Sequence, residues 1–442
     1  MFSIPEHARI VVDRLEYCGY EAYVVGGCVR DSLLGRTPKD WDVCTNALPD
    51  EVLRVFRRFH VIKTGLKHGT VTVMVNHEPV EVTTYRIDGE YTDNRHPDAV
   101  QFVSDIEADL ARRDFTINAM AYSPTHGLVD AFGGQHDLAA RKIRCVGEPD
   151  ARFNEDGLRL MRALRFAARY RFDIERETAY SIHRNRHLLE NVSAERIFSE
   201  LKGILVGDGV LDMLLAFPDV FTVIIPELAP TLGFEQHNPH HCYDVWTHTA
   251  HAVQAIPADA TLRLAMLLHD VGKPACYSMD EHGKGHFYGH PKRGADMARD
   301  ILTRLRCDNA TLSAVLTYVN EHDRAFPTTI PGMRRLIGKL GESTIRSLFE
   351  IKKADMAAQS THERAAKVAA LREASLLLDD TLDGGALFTL KDLQINGSDL
   401  MKMGVPQGPR IRSILFTLLE EVQDDALANT REALASRAKE LI

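Results

Sequence analysis

Short apolar and β-branched runs at 22–25, 42–44, 70–75, 80–85 and 101–103 predict strands, and stretches near 5–18, 29–34 and 49–58 predict helices. The first part of the chain therefore reads as a small mixed α/β domain. After about Pro149 glycine and proline punctuation thins, apolar residues recur at helical spacing, and convincing strands vanish. The expected class is α+β, a small mixed sheet followed by helices. Candidate joints fall at 207–209, 226–239, 326–332 and 384–385, where glycine or proline interrupts the pattern.

Composition narrows this reading. With 442 residues, 45% of them apolar and 26% charged, the chain fits about three ordinary globular domains rather than a disordered polymer. The first twenty residues mix Glu, Arg and Asp among apolar positions, unlike a signal peptide, and no run approaches the roughly 18 apolar residues of a membrane span. Seven scattered cysteines include no close pair, which points to a reducing cytoplasm. The net charge of −9 argues against indiscriminate nucleic-acid binding. Between Arg141 and Arg171, however, nine Lys or Arg stand against four Asp or Glu, a local stripe that could steer a phosphate-rich ligand.

The first candidate chemistry follows strand 22–25. Gly26 and Gly27 remove the side chains that would keep a triphosphate from the backbone, the helix start beyond them offers N–H groups, and Arg30 supplies a forked cation. Asp40 and Asp42 are two apart, so on a strand their carboxylates share a face and repel unless cations lie between them. Two magnesium ions would absorb that charge, one activating an attacking hydroxyl and the other stabilising a leaving pyrophosphate. Glu81, flanked by Val80 and Val82 that point the other way, is a candidate third carboxylate, or simply an exposed strand residue.

Read together, GGCVRD at 26–31, DWD at 40–42, RRDFTINAMAY at 112–122 and EDGLRLMRALRFAAR at 155–169 resemble, in order and spacing, the bacterial class II tRNA nucleotidyltransferase and poly(A) polymerase family. The resemblance covers essentially the whole chain. It implies a nucleotidyltransferase head with a five-stranded sheet over 1–147, a helical neck over 148–206, a helical body over 207–330 and a tRNA-binding tail over 331–442. It also implies template-independent addition of C, C and A to the 3′ end of tRNA, from CTP and ATP. By motif, Gly27 and Arg30 contact the nucleotide, Asp40 and Asp42 the metals, and Arg113 the triphosphate or ribose, with Asp114 and Asn118 in support.

In the same family the EDxxR segment acts as a protein template, and Asp156 and Arg159 occupy its positions. The chemistry agrees. C and A each present an amino donor beside a ring-nitrogen acceptor, so an Asp that only accepts and an Arg that only donates match them and mismatch U and G. Arg162 and Arg165 continue the row at three-residue spacing beside the apolar stripe of Leu160, Met161, Leu164 and Ala168, where they would hold the pair or reach phosphate. The polar segment at 88–98 is a plausible moving part in a switch from C to A. Related enzymes that add only C lack an equivalent loop.

Nine of the 20 histidines lie between His237 and His290, and LLHDVGK sets His269 beside Asp270. This resembles an HD domain, in which His and Asp from several helices converge on one or two divalent metals to hydrolyse phosphate esters. Matching positions are His248, His269, Asp270, His290 and His322 with Asp323, and His286 competes with His290. An active site here would trim 2′,3′-cyclic or terminal phosphates. In the tail, Asn396 and Gly397 read as a turn, Gly408 and Pro409 as a helix start, and Arg410 and Arg412 as candidate contacts to tRNA near its elbow. The rival readings are a poly(A) polymerase, a CC-adding enzyme, or a nucleotide-sensing regulator without turnover. Oligomeric state is not legible in the sequence.

Overall fold

Alternation of side chains explains the head sheet. The structure, a computed structural model, describes residues 3–89, 100–361, 363–384 and 389–442. Strands follow in chain order as β1 (Ala22–Val25), β2 (Asp42–Thr45), β3 (His60–Ile62), β4 (Thr70–Val75), β5 (Glu78–Thr84), β6 (Arg86–Asp88), β7 (Val100–Phe102), β8 (Ala121–Ser123) and β9 (Gly127–Val129). Seven of them form one sheet in the order β3-β4-β5-β2-β1-β8-β9, while β6 and β7 pair separately. The β2–β5 pair is parallel and the other neighbours are antiparallel.

The sheet has seven strands where the family resemblance implied five. β3, β8 and β9 are three residues each, too short for an alternating pattern to announce them, and tertiary pairing completes them. Two-residue strands also occur outside that sheet. Lys142–Ile143 pairs with Asp173–Ile174, and Ser278–Met279 with Gly285–His286, so the later chain is not purely helical.

On β4, Val71, Val73 and Val75 are buried while Thr70, Thr72 and Met74 face the other way. Register sets Val71 opposite Val82 and Thr72 opposite Glu81. The valine face is covered by helix Glu6–Tyr17 through Ala8, Val11, Val12 and Leu15, and each such side chain contributes roughly 1.5–3 kcal/mol when fully buried. The opposite face is covered only in part. Ile106 and Leu110, on helix Ile106–Ala111, pack with Tyr23, Cys44 and Tyr85, so the end of the sheet that carries Asp42 stays open.

The chain divides into two compact units, one comprising Met1–Ala229 with Arg304–Cys307, the other Pro230–Thr303 with Asp308–Ile442. In the first, helix Leu158–Tyr170 packs against helix Ala194–Leu205. Close approach demands glycine there, since a Cβ at Gly207 would sit 2.6 Å from that of Ala168. Among its described residues the second unit is helical apart from one two-stranded hairpin. Asp244, Asp259 and Asp308 each accept backbone N–H groups at a helix start, caps worth about 1 kcal/mol apiece. Its carboxyl-terminal part has its own apolar cluster around Leu400, Leu418 and Leu434. Among the described residues no helix is long and apolar enough to cross a membrane.

Candidate active site and metal centre

The open end of the head sheet gathers the acidic residues. Asp42 begins β2 directly beside Glu81 of β5, and both side chains are exposed. Asp40 lies just before the strand, also exposed, with buried Trp41 between it and Asp42. The β2–β5 register sets Asp42 beside Glu81, while Asp40 lies two residues before the strand instead of on it, near enough for its charge to act on Asp42. Asp42 is open to solvent but set in a recess dense with protein. Loss of bulk water there, then the charges of Glu81 and Asp40, push its pKa up to about 6 against the opposing pull of Arg113.

Arg113 links this acidic patch to the glycine turn. Gly26 has φ +78° and ψ −121°, a conformation side chains resist, and a Cβ there would lie 2.9 Å from an Arg113 terminal nitrogen. The guanidinium is held by Asp109 at 3.3 Å, yet its buried Nε has no hydrogen-bond partner. A buried donor without a partner beside a glycine turn and a carboxylate patch fits an anionic ligand bridged to cations.

Arg30 departs from the expected role. It is 4% exposed, bonds Asp31 and Asn118, and stacks on Phe166 and Tyr170 at 5.1 and 5.0 Å. Tyr170 also donates to Asp31 at 2.8 Å. The arginine therefore braces the turn against helix Leu158–Tyr170 and does not reach an open phosphate site. Gly27, the first residue of the short helix Gly27–Leu33, stays beside that brace.

The arginine row on helix Leu158–Tyr170 is paired to acids throughout. Arg159 meets Glu155 at 2.5 Å and donates to the carbonyls of Arg152 and Arg112. Arg162 grips one oxygen of Asp114 with two nitrogens at 2.9 and 2.7 Å, and Arg165 meets Glu200 at 2.5 Å. Burial alone would raise the Asp114 pKa. The Arg162 charge and bonds from Asn118 and Arg162 prevail and hold it down to about 2. Asp156 accepts from Arg196 at 2.7 Å and from the Leu158 N–H at 3.0 Å. Arg196, from the next helix, was not predicted, because nothing in its local sequence marks it. The polar loop at 88–98 lies outside the described residues from Glu90 onward.

The second unit holds a tighter cluster. His248, His269, Asp270, His290 and His322 are all buried, and two overlapping groups share Asp270, with ligand atoms of each group within 4.8 Å of one another. No such convergence joins Asp40, Asp42 and Glu81 among the described residues. His269 and His322 follow helix ends and His290 begins a helix. Each turns its Nδ1 back to a carbonyl three residues earlier, on Met266, Val319 and Phe287 respectively. His248 Nδ1 faces the Ala358 carbonyl at 3.2 Å. A carbonyl only accepts, so Nδ1 carries a hydrogen and each Nε2 points inward.

Those nitrogens face one another in pairs. His248 and His269 Nε2 lie 3.3 Å apart, and His290 and His322 Nε2 lie 3.2 Å apart. Asp270 Oδ2 has Lys273 Nζ at 2.7 Å and His269 Nε2 at 3.0 Å but makes no aligned hydrogen bond. Desolvation opposes the Asp270 charge, yet His269 and Lys273 hold its pKa well below the carboxylate range. The donor set of imidazoles around a shared ionised carboxylate fits divalent metal.

Asp323 stands apart from this cluster. It is exposed and paired with Lys352 at 3.3 Å, beyond the helix that ends at Glu321. Asp355 supplies the further carboxylate instead, 3.1 Å from His248 Nε2. Sequence reading missed it, as it did Lys273, since a single Asp on helix Glu342–Ala357 has no neighbouring histidine to mark it. His286 is occupied by Asp280 at 2.9 Å and does not compete with His290.

Residues 22–144 match the family described as the poly A polymerase head domain, residues 171–232 the probable RNA and SrmB-binding site of polymerase A, and residues 240–369 the HD domain. A CCA-adding enzyme of Levilactobacillus brevis is 33% identical over 438 residues, which is 98% of this chain and 96% of the relative. One from Geobacillus thermodenitrificans is 48% identical over 202 residues, 46% of this chain and 50% of its own length. The crystal structure of the Bacillus stearothermophilus CCA-adding enzyme in complex with CTP is similar with a TM-score of 0.74 at 27% identity, covering 98% of this chain and 96% of that one. Likeness along nearly the whole of both chains, at that level of identity, shows that this chain belongs to the CCA-adding enzymes, the tRNA nucleotidyltransferases.

Proposed function

We propose that the chain adds C, C and A in turn to the 3′ end of tRNA, taking CTP and ATP as substrates in the cytoplasm. The observation that carries this reading is the pairing of Asp42 with Glu81 at the open sheet end, beside a glycine turn overlaid by Arg113 with an unsatisfied buried Nε. Asp40, Asp42 and Glu81 would hold two magnesium ions, whose charge lowers the pKa of the attacking 3′ hydroxyl and neutralises the departing pyrophosphate. Arg113 takes the triphosphate, and Gly26 keeps its turn bare so that the phosphates approach the backbone. The 3′ oxygen bonds to the α-phosphorus, and the bond to the pyrophosphate oxygen breaks.

Asp156 and Arg159 select the base, the first accepting from the amino group of C or A and the second donating to the ring nitrogen. Arg196 and Glu155 preset their orientations, which supports selection by fixed polar partners. Arg162 with Asp114, and Arg30 with Asn118, are the braces beneath that pair. We also propose the division read from the sequence: head to 147, neck to 206, body to 330 and a tail that meets tRNA, with Arg410 and Arg412 exposed on it. The test is to offer the protein a tRNA ending at the discriminator base with CTP, ATP, GTP and UTP, singly and together, and to sequence the 3′ ends. Growth by C, C and A is the expected result, and a long A tail on unstructured RNA would contradict it.

A second activity is supported by the four imidazoles aimed at Asp270. We assign the body as a divalent-metal phosphohydrolase acting on terminal or cyclic phosphates of RNA ends.

A further inference from the structure

The cavity containing Asp270, His290 and His322, about 290 Å³, shares a wall of Asp323, Asp355 and Gln359 with a second recess of about 640 Å³. The larger recess falls within the range of about 300–1,000 Å³ expected for ligand pockets. It lies between the segment 323–328 and helices Glu342–Ala357 and Arg364–Asp383. We infer that this recess is the subsite for the nucleoside of a phosphate ester whose phosphate is held at the His–Asp cluster; the inference rests on the phosphohydrolase reading of that cluster.

Three observations carry it. The walls are mostly apolar, with Phe326, Met356, Leu371 and Leu377 offering a flat-sided space for a ring. Charged residues Arg324, Glu373 and Asp380 also line it, and a further polar group lies at the wall shared with the cluster. There Gln359 donates to Asp355 at 3.0 Å and accepts from Lys367 at 3.1 Å, while Lys352 stands 3.3 Å from Asp323. An ammonium group has three donors, and with Gln359 and His240 Nδ1, the latter at 3.4 Å, engaging two, Lys367 keeps one hydrogen for a ribose hydroxyl or a base carbonyl. Finally, Asp355 belongs to both spaces, touching His248 on one side and lining the recess on the other. A phosphate at the cluster would therefore have a largely apolar compartment on the far side of the Asp355 wall. Inorganic phosphate or a simple alkyl ester would leave that compartment empty.

In the hydrolytic step a water oxygen bonds to phosphorus, the bond from phosphorus to the ribose oxygen breaks, and that oxygen leaves with a proton from the water. Nucleoside and inorganic phosphate result. Asp355 apart, the residues lining the recess lie outside the His–Asp cluster, so they determine specificity.

Ala370 and Leu376 are exposed and line the recess, so bulk or charge can be added there without opening a core. The probe is uridine 3′-monophosphate, whose base the neck selects against. Its binding to the chelator-treated full-length protein is measured by calorimetry, alongside Ala370→Trp and Leu376→Arg. Each variant is expected to weaken binding about tenfold or more, the scale of a blocked apolar contact. With divalent metal restored, the preference for uridine 3′-monophosphate over glycerol 2-phosphate should fall by a similar factor. Equal affinity in parent and both variants, or no saturable binding by the parent, overturns the inference. Binding that the variants abolish, together with no hydrolysis of either ester under manganese, magnesium, cobalt or nickel, would uphold the subsite and overturn the phosphohydrolase reading.

Discussion

Asp42 shows how one side chain can couple catalysis to pH. Its pKa, raised to about 6 from the ordinary 3.8, means the metal-free folded protein holds a proton there that the unfolded chain releases near pH 4. Stability contributed by this group is complete below the unfolded value and declines as pH rises through the folded one. Asp42→Asn should therefore melt at a higher temperature than the parent above pH 6 in chelator, with the difference vanishing near pH 4. Cations compete with that proton. The dissociation constant for magnesium or manganese should rise about tenfold for each pH unit below the Asp42 pKa, as followed by calorimetry. Gly26 carries a second prediction. Gly26→Ala forces a side chain into φ +78° and against Arg113, which should cost about 1–3 kcal/mol in chemical denaturation and raise the KM for CTP.

At the scale of the element, helix Leu158–Tyr170 is a polar ledge assembled from pairs. Arg162→Ala strips a nearly buried Asp114 of its bidentate partner, and the expected loss is about 3 kcal/mol, limited because Arg162 itself is partly exposed. The Asp114 pKa of about 2 gives a pH signature. Stability from this pair is present above the unfolded carboxylate value and is lost as pH falls through the folded one, so Arg162→Ala should flatten the parent's acid-unfolding slope. Arg196 acts on the same ledge from the neighbouring helix, holding Asp156. Arg196→Ala should leave the fold intact and raise UTP incorporation relative to CTP about tenfold, read by single-turnover competition.

At the scale of the whole molecule, two chemical centres occupy separate compact units. They differ in kind. The head presents exposed carboxylates that need cations to relieve their repulsion, whereas the body encloses imidazoles already oriented by backbone carbonyls. Asp42→Ala should abolish nucleotide incorporation and leave the body's phosphate-ester hydrolysis intact, and Asp270→Ala should do the reverse. Assaying both activities on both variants checks the independence. If either substitution removed both activities in a folded protein, the centres would have to be coupled.

Most of the head was legible because its signals are local. Strands at 22–25 and 70–75, the glycine turn and the two-residue spacing of Asp40 and Asp42 follow from alternation and backbone stereochemistry alone. The three-residue strands β3, β8 and β9 were not, since their existence depends on partners distant in sequence. The same divide separates residues. Family motifs marked Arg30 and Asp323 for ligand contact, and packing instead placed one under Phe166 and Tyr170 and turned the other out to Lys352. Asp355 and Arg196 joined their sites from helices with no motif at all. By itself, then, the sequence determined which chemistry the chain carries, because residue type and short-range spacing are properties of the string. Only the tertiary structure decided which carboxylate meets which cation, since burial and approach between distant segments exist only once the chain has folded.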